Sequence, residues 1–158
     1  MSSEKPDVSI ILVSWNTRDL LLACLASLPA ALGGLHADVW VVDNGSADGS
    51  VAAVRERYSA ARLIENGGNP GFAAANNQAI DASAGRYALL LNSDTVATPG
   101  SIERLVRFAD EHPLAGIVGA RLLNPDGSFQ ASFADFPSLR SELLSVTGLG
   151  PRLFGRWY

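Results

Sequence analysis

The sequence predicts an α/β protein with a doubly wound, mostly parallel sheet and helices on both faces. Apolar runs typical of buried strands alternate with helix-like patterns over most of the 158 residues. In addition, clusters of Asp, Asn, Ser and Gly directly follow four of the predicted strands. Because the carboxyl ends of parallel strands lie at the same edge of a sheet, we expect these clusters to line one cleft.

The first strand and helix show the pattern most clearly. Residues 8–13 are almost continuously apolar and β-branched, which predicts a buried strand. Asn16 or Thr17 is expected to cap the helix that follows, and Pro29 with the glycines at 33 and 34 to end it. The apolar face of this helix comprises Leu20, Leu21, Cys24, Leu25 and Leu28.

The later elements alternate in the same way. Predicted helices span residues 51–58, 73–84 and 101–111, and predicted strands span residues 39–42, 63–64, 87–91, 117–123 and 128–132. The run 87–91 reads as a fully buried strand. Residues 124–127 are a strong turn sequence, so the last two strands are expected to form a hairpin that adds an antiparallel strand. The leucines after residue 138 suggest a helix that glycines and a proline interrupt.

The composition restricts the class of protein. A formal net charge of -4 argues against a nucleic-acid-binding surface. The single cysteine, Cys24, lies in an apolar stretch and is expected to be a buried, unreactive thiol. With no internal disulfide available, a cytoplasmic location is expected. The N-terminal residues lack a signal-peptide pattern, and no apolar run reaches the ~20 residues of a membrane span.

The polar clusters suggest a particular ligand. They are residues 14–16, 43–46, 66–71 and 92–94. Asp94 offers a carboxylate to a divalent cation, with Asn92 and Ser93 as neutral oxygen neighbours. Asp43 can accept hydrogen bonds from a base or a ribose, and Trp15 can supply an aromatic face. Together these predict a nucleoside diphosphate site, whereas the simplest alternative is a set of polar turns without a ligand.

Other site chemistries fit the sequence poorly. No Gly-x-Gly-x-x-Gly motif follows the first strand, and no Gly-x-x-x-x-Gly-Lys-Ser/Thr phosphate loop is present. Residues 43–49 have the wrong acidic spacing for a calcium loop. His36 and His112 stand alone in the sequence, which disfavours a metal role for either. Asp126 is expected to serve a turn.

The clusters also resemble those of glycosyltransferase family 2, in particular its bacterial rhamnosyltransferase-like branch. The matching segments are Val13-Ser14-Trp15-Asn16, Val42-Asp43-Asn44-Gly45-Ser46, residues 69–77, Leu91-Asn92-Ser93-Asp94 and residues 119–127. They occur in order between about residues 8 and 132. The resemblance implies a GT-A fold and inverting transfer of a sugar from a nucleotide-sugar donor. It also implies a glycan or lipid-linked acceptor in the synthesis of cell-surface polysaccharide.

The resemblance assigns roles by position. It implies that Val13 and Trp15 line the base pocket beside Ser14, and that Asp43 hydrogen-bonds the base. Gly71 and Asn77 would border the nucleotide. Asp94 would be the metal-binding aspartate of an Asp-x-Asp element, with Asn92 in place of the first aspartate and Ser93 between them. The implied cofactor is Mg²⁺ or Mn²⁺, and the implied donor is a dTDP- or UDP-linked sugar.

The resemblance does not supply a catalytic base. An inverting enzyme needs a carboxylate to deprotonate the acceptor, and the family carries it in a downstream acidic element. Asp135 and Glu142 do not lie in such an element, so the base is expected to be absent from this chain. Residues 1–137 are therefore expected to form the nucleotide-sugar-binding domain, and residues 138–158 the start of an acceptor-side region or a truncated tail.

Two other functions remain open from the sequence. One is a module that binds a nucleotide-sugar without transferring it. The other is a sugar nucleotidyltransferase, which should carry a glycine-rich, arginine-containing loop that residues 13–18 do not match. Basic and aromatic residues at 149–158 further suggest peripheral contact with the inner face of a membrane that carries the acceptor. The alternative for that segment is the stub of a missing domain.

Overall fold

The computed structural model describes residues 5–131 and residue 147. The chain divides into two compact units, residues 1–118 and residues 119–158. The first unit contains β1 (Val8–Ser14), α1 (Arg18–Leu32), β2 (Ala37–Asp43), α2 (Ser50–Arg57), β3 (Arg62–Glu65), α3 (Phe72–Ala82), β4 (Tyr87–Asn92) and α4 (Ser101–Glu111). The second unit contains two short strands, β5 (Leu122–Leu123) and β6 (Phe129–Gln130).

The first unit is built on a four-stranded sheet with the order β3-β2-β1-β4. All of its strand pairs are parallel, and Ser14 of β1 is in register with Asp43 of β2. The chain steps outward from β1 to β3 and then returns to the other side of β1 at β4. A topological switch point therefore lies between β1 and β4, where open α/β sheets bind ligands beyond the carboxyl ends of their strands.

The two faces of the sheet have separate apolar cores, as the alternation of side chains along a strand requires. On one face, Val8, Ile10 and Leu12 of β1 pack with buried side chains of α1, α2 and α4. On the other face, Ile11 packs with Trp40 and Val42 of β2 and with the small residues of α3, Ala75 and Ala79. The predicted sheet with helices on both faces is confirmed.

Helix α1 differs from its prediction in three details. Pro29 lies inside the helix, which continues to Leu32. The loss of one N–H near the end of the helix is tolerated because the last turns remain anchored by Leu28 and Ala31, which are buried. Leu20 is exposed and does not belong to the buried face. Thr17 occupies the cap position but makes no capping hydrogen bond with its side chain.

The strand predictions need two corrections. Only Leu122–Leu123 of the predicted strand 117–123 pairs with another strand, and its partner is Phe129–Gln130. The hairpin is confirmed, but it forms a two-stranded sheet of its own. In addition, the prediction that β4 is buried on both faces is wrong, since Leu90 is 47% exposed. Among the described strands, β4 lies at an edge of the sheet.

Several sequence-based predictions fall outside the described residues. They concern the helix after residue 138, the carboxylates of Asp135 and Glu142, and the segment 149–158. The boundary placed at residue 137 also lies there, so it stays a prediction. Within the described part of the chain, no helix combines the length and apolarity needed to cross a bilayer.

Gly85 permits a close contact between the α3–β4 connection and β1. Its N–H donates to Ser9 Oγ at 2.9 Å, and a Cβ on Gly85 would lie 2.5 Å from both the nitrogen and the Oγ of Ser9. We expect Gly85→Ala to lower the free energy of unfolding by ~2 kcal/mol, because backbone atoms must move. Urea denaturation monitored by circular dichroism tests this, with Gly34→Ala as the control, since a Cβ there meets nothing. Equal midpoints for the two variants would contradict the prediction.

Candidate functional site

The switch point is bridged by three hydroxyl groups. Thr17 Oγ1 lies 3.1 Å from Ser14 Oγ at the end of β1 and 3.1 Å from Ser93 Oγ just beyond β4. Ser14 is fully buried and Ser93 nearly so. A hydroxyl group can donate and accept at once, so the two contacts satisfy the hydrogen bonding of all three buried or half-buried side chains. They fix the loop after β1 against the loop that carries Asp94.

The loop after β4 presents Asp94 to solvent. Thr95 N donates to Asn92 O at 3.1 Å and closes the turn. Asp94 is exposed, and its carboxylate makes no hydrogen bond or ion pair with any described residue. Its charge also acts on Cys24, whose thiol donates to Asn92 O. Burial, and to a smaller extent the negative charge of Asp94, raises the pKa of Cys24 to about 11, so this thiol is unreactive as expected.

Asp43 is the most buried carboxylate of the site. Its side chain is 3% exposed. One oxygen, Oδ2, accepts hydrogen bonds from Gly45 N at 3.1 Å and Ser46 N at 2.8 Å. The other oxygen, Oδ1, is buried and has no hydrogen-bond partner among the residues that the structure describes. A buried acceptor without a donor is costly, so Asp43 has spare capacity for a hydrogen-bond donor of a ligand.

The loops after β1 and β2 are joined by their side chains. Asn16, which has a positive φ of 55°, accepts from Ala47 N, and its own N–H donates to Ser46 Oγ, both at 2.8 Å. Asp48 accepts from Arg18 N at 2.8 Å and from the N–H and hydroxyl of Ser50. Partial burial raises the pKa of Asp48, but these hydrogen bonds outweigh it, so the pKa is lowered from its usual value.

The glycine-rich loop approaches the end of β2 closely. Asn66 N donates to Asp43 O at 2.9 Å. A Cβ on Gly45 would lie 3.1 Å from Gly68 Cα, and Gly45 has a φ of +80°. Two backbones therefore meet here at a distance that only glycine allows without adjustment. Residues 66–70 and Gln78 line an open depression of ≈ 410 Å³ beside this contact.

The remaining predicted site residues are placed as follows. Val13 is half-buried beside the α3 core, and Trp15 is 57% exposed at the carboxyl edge. Gly71 has a φ of +93° and precedes α3. Asn77 lies on the exposed side of α3, whereas its neighbour Asn76 is buried with an unpartnered Oδ1. Val13, Ser14, Trp15, Asp43, Asn92, Ser93 and Asp94 thus all occur at or just beyond the carboxyl ends of β1, β2 and β4.

Three contributors were not predicted from the sequence: Thr17, Asp48 and Gln78. The sequence indicated only that these three residues lie in or near predicted helices and loops. Their contacts span 76 residues for Thr17 with Ser93, 30 for Asp48 with Arg18 and 12 for Gln78 with Asn66. No local pattern identifies such partners.

The described residues of the site offer few protein ligands to a divalent cation. Among the described residues, no group of three His, Cys, Asp or Glu side chains could hold a metal ion. Asp94 is instead a single exposed carboxylate without a hydrogen bond or ion pair among the described residues, and Asn92 and Ser93 precede it in the sequence. Mg²⁺ is often held by one or two carboxylates together with the phosphate oxygens of a substrate, so the donor set fits a cation that arrives with a diphosphate.

Comparison with protein families gives a match over most of the chain. The family model described as glycosyl transferase family 2 matches residues 9–153. An N-acetylglucosaminyl-diphospho-decaprenol L-rhamnosyltransferase of Mycobacterium tuberculosis is 34% identical over 152 residues. That alignment covers 88% of this chain and 49% of the relative, so the chain spans about half of that protein. The O-antigen biosynthesis protein RfbC of Myxococcus xanthus is 34% identical over 79% of this chain and 10% of its own length.

Solved structures agree on the fold. The Staphylococcus aureus TarS fragment 1–349 superposes with a TM-score of 0.58 at 23% identity, over 68% of this chain and 33% of its own. The mannosyltransferase PcManGT of Pyrobaculum calidifontis, in complex with GDP-Man and Mn²⁺, gives a TM-score of 0.50 at 26% identity, over 58% of this chain and 28% of its own. The predicted GT-A fold and the rhamnosyltransferase-like resemblance are confirmed.

Proposed function

The chain belongs to glycosyltransferase family 2, and from this premise we propose that it forms the donor-binding part of an inverting sugar transferase. The observation that carries the proposal is Asp43 at the carboxyl edge of the sheet, whose buried Oδ1 receives no hydrogen bond from any described residue. Relatives named for rhamnosyl transfer, O-antigen synthesis and succinoglycan synthesis support a role in cell-surface polysaccharide synthesis.

The proposed ligand is a dTDP- or UDP-linked sugar. Uracil and thymine each carry one imide N–H, which can donate to the free oxygen of Asp43. Trp15 offers an exposed ring at the same edge for contact with the base or ribose, beside Val13 and Ser14. Gly71 and Asn77 are proposed to border the nucleotide from the start of α3. TarS has been solved with UDP and with UDP-GlcNAc, which supports a uridine nucleotide as one candidate.

Asp94 is proposed to hold the diphosphate through a divalent cation, Mg²⁺ or Mn²⁺. When bound, the cation supplies positive charge that stabilises the departing diphosphate. The protein contributes a carboxylate on a loop whose backbone is fixed by the turn at Asn92 and by the hydroxyl bridge through Ser93. The backbone position of Asp94 is therefore set before the ligand arrives, while its exposed side chain remains free to meet the cation.

The transfer itself requires more than the described residues. In inverting transfer, the acceptor hydroxyl loses its proton to a general base, its oxygen bonds to the anomeric carbon, and the bond to the diphosphate breaks. None of the described residues is proposed as that base. Because the chain spans about half of the mycobacterial relatives, we propose that the base and the binding site for a glycan or lipid-linked acceptor belong to the remaining half.

The partial coverage of the mycobacterial relative also favours one alternative function. A chain that holds only the donor site would act as a nucleotide-sugar-binding module without transferase activity. A donor-hydrolysis assay on a protein that also carries the remaining half separates the two, because a module binds the nucleotide-sugar without releasing free sugar.

We also propose a location in the cytoplasm at the inner face of the membrane, where a lipid-linked acceptor would be reached. Vesicle co-sedimentation with and without residues 149–158 tests the contact with the membrane.

Calorimetric titration of UDP, dTDP and ADP into the chain tests the proposed donor site directly. Each nucleotide is titrated with Mg²⁺, with Mn²⁺ and with EDTA. We expect UDP or dTDP to bind more tightly with a cation, and ADP to bind weakly because adenine is a larger base whose donor is an exocyclic amino group rather than an imide N–H. The proposal fails if no pyrimidine nucleotide binds under any condition, or if ADP binds equally well.

A further inference from the structure

A chain of side-chain amides connects the glycine-rich loop to the rest of the site. Asn69 Oδ1 accepts from Gly71 N at 2.9 Å and from Asn44 Nδ2 at 3.1 Å. Asn44 Oδ1 accepts from Asn66 Nδ2 at 3.0 Å. Asn66 and Gln78 then exchange two hydrogen bonds, at 3.0 and 3.1 Å. The amides thus connect the ends of β2 and β3, the loop and α3.

The centre of this network is a buried side chain that is hydrogen-bonded through both its amide nitrogen and its amide oxygen. Asn44 is 3% exposed and uses its amide nitrogen and its oxygen on two different residues of the same loop. The donor and the acceptor are distinct in each of these hydrogen bonds. The side chain of Asn69 only accepts, whereas that of Asn44 both donates and accepts. A buried amide satisfied at both ends favours one arrangement over the alternatives, because leaving either end unpaired is costly.

Apart from the network, the loop is held by the hydrogen bond from Asn66 N to Asp43 O and by the close approach of Gly68 to Gly45. Three of its six residues are glycines, and Gly71 has a φ of +93°. Glycine-rich segments lose more backbone entropy on ordering than other segments. A loop that is already ordered does not lose that entropy when a ligand binds, so its affinity is higher.

We infer that Asn44 and Asn69 are positioning residues that hold loop 66–71 ready for the nucleotide. This inference rests on the proposed function for its effect on affinity, but the ordering of the loop is independent of any ligand. Neither residue needs to touch the nucleotide. Their effect passes through the backbone of Gly71 and through the contact between the loop and Asp43.

The roles of donor and acceptor in the network give a discriminating pair of variants. Asn69→Asp keeps an acceptor oxygen for both Asn44 Nδ2 and Gly71 N, whereas Asn69→Ala loses both bonds. Hydrogen exchange is measured at the backbone amides of residues 66–69 and of Gly71, since Pro70 has no N–H. UDP titration in Mg²⁺ is measured on the same samples. Gln130→Ala, an exposed substitution in the second unit, controls for a general effect of losing an amide.

For Asn69→Ala we expect exchange at Gly71 to rise by ~10-fold and UDP affinity to fall by ~10-fold, since two hydrogen bonds are lost. Gln130→Ala should stay close to the original chain in both measurements. Asn69→Asp should stay close to it in exchange, whereas its added negative charge lowers the affinity for a diphosphate by repulsion. Unchanged exchange in Asn69→Ala would overturn the inference. So would exchange in Asn69→Asp that is as fast as in Asn69→Ala.

The two measurements separate failure of this inference from failure of the proposed function. Should the original chain not bind UDP, the proposed donor site fails while the exchange pattern still decides the role of the network. Should UDP bind equally to the original chain and to Asn69→Ala despite faster exchange, loop ordering does not contribute to affinity, and the positioning role is wrong. Near-ultraviolet circular dichroism confirms that both variants are folded.

Discussion

Replacing Asp94 with alanine is expected to remove the cation-dependent part of nucleotide binding. In Mg²⁺ or Mn²⁺, the affinity for UDP or dTDP should fall by ~100-fold, or ~2.7 kcal/mol, to the value measured in EDTA. The carboxylate is the only charged group of the loop after β4, and its neighbours supply neutral oxygens. Titration calorimetry of the original chain and the variant, with and without the cation, measures the difference.

The fold should not be affected by this change. Asp94 is exposed and has no hydrogen-bond partner among the described residues, so the melting temperature should stay constant. Asp81→Ala is the matched control, because Asp81 is an exposed carboxylate on α3, away from the carboxyl edge. If Asp94→Ala retains full dependence on the cation, the cation is held by other residues and the assignment of Asp94 is wrong.

Two substitutions of Asp43 should separate its contribution to the turn from its contribution to the ligand. Asp43→Asn can keep an oxygen facing Gly45 N and Ser46 N while a donor replaces the unpartnered oxygen. We expect normal folding but a loss of ~100-fold in UDP affinity, since a charged acceptor is replaced by a group that cannot accept. Asp43→Ala should lose the affinity and, in addition, ~2 kcal/mol of unfolding free energy.

Titration calorimetry and urea denaturation of the same two variants check both parts of the prediction. Asn44→Ala is not a suitable control, because Asn44 belongs to the amide network; Asp38→Asn at the other end of β2 is preferable. Wild-type UDP affinity in Asp43→Asn would show that the buried oxygen does not meet the nucleotide. Wild-type stability in Asp43→Ala would show that the turn does not depend on this carboxylate.

Much of the site could be predicted because its parts are local features. The four clusters each follow a strand, and a parallel sheet brings such ends to the same edge. Helix α4 also matches its predicted bounds, Ser101–Glu111, because Pro99 and Gly100 precede it and its apolar residues repeat at helical spacing. The family resemblance named residues that the structure indeed places at the carboxyl edge, Ser14, Asp43 and Asp94 among them.

Other features depended on partners that lie far away in the chain. The leucines of β4 predict a strand buried on both faces, yet the order β3-β2-β1-β4 puts it at an edge and exposes Leu90. Pro29 predicts the end of α1, but anchoring by Leu28 and Ala31 carries the helix one turn further. For β4 the position of the strand in the sheet outweighs the local signal, and for α1 packing against the core does so.

By itself, then, the sequence determined the alternation of strands and helices and the edge at which the polar clusters meet, because periodicity and turn chemistry are properties of neighbouring residues. Only the tertiary structure decided that Thr17 bridges Ser14 and Ser93 and that Asn44 pairs with Asn69 and Asn66. It also decided that one oxygen of Asp43 receives no hydrogen bond within the described part of the chain. Polar side chains such as these have many equivalent partners along the chain, and their choice is fixed by which of them the folded backbone brings within hydrogen-bond distance.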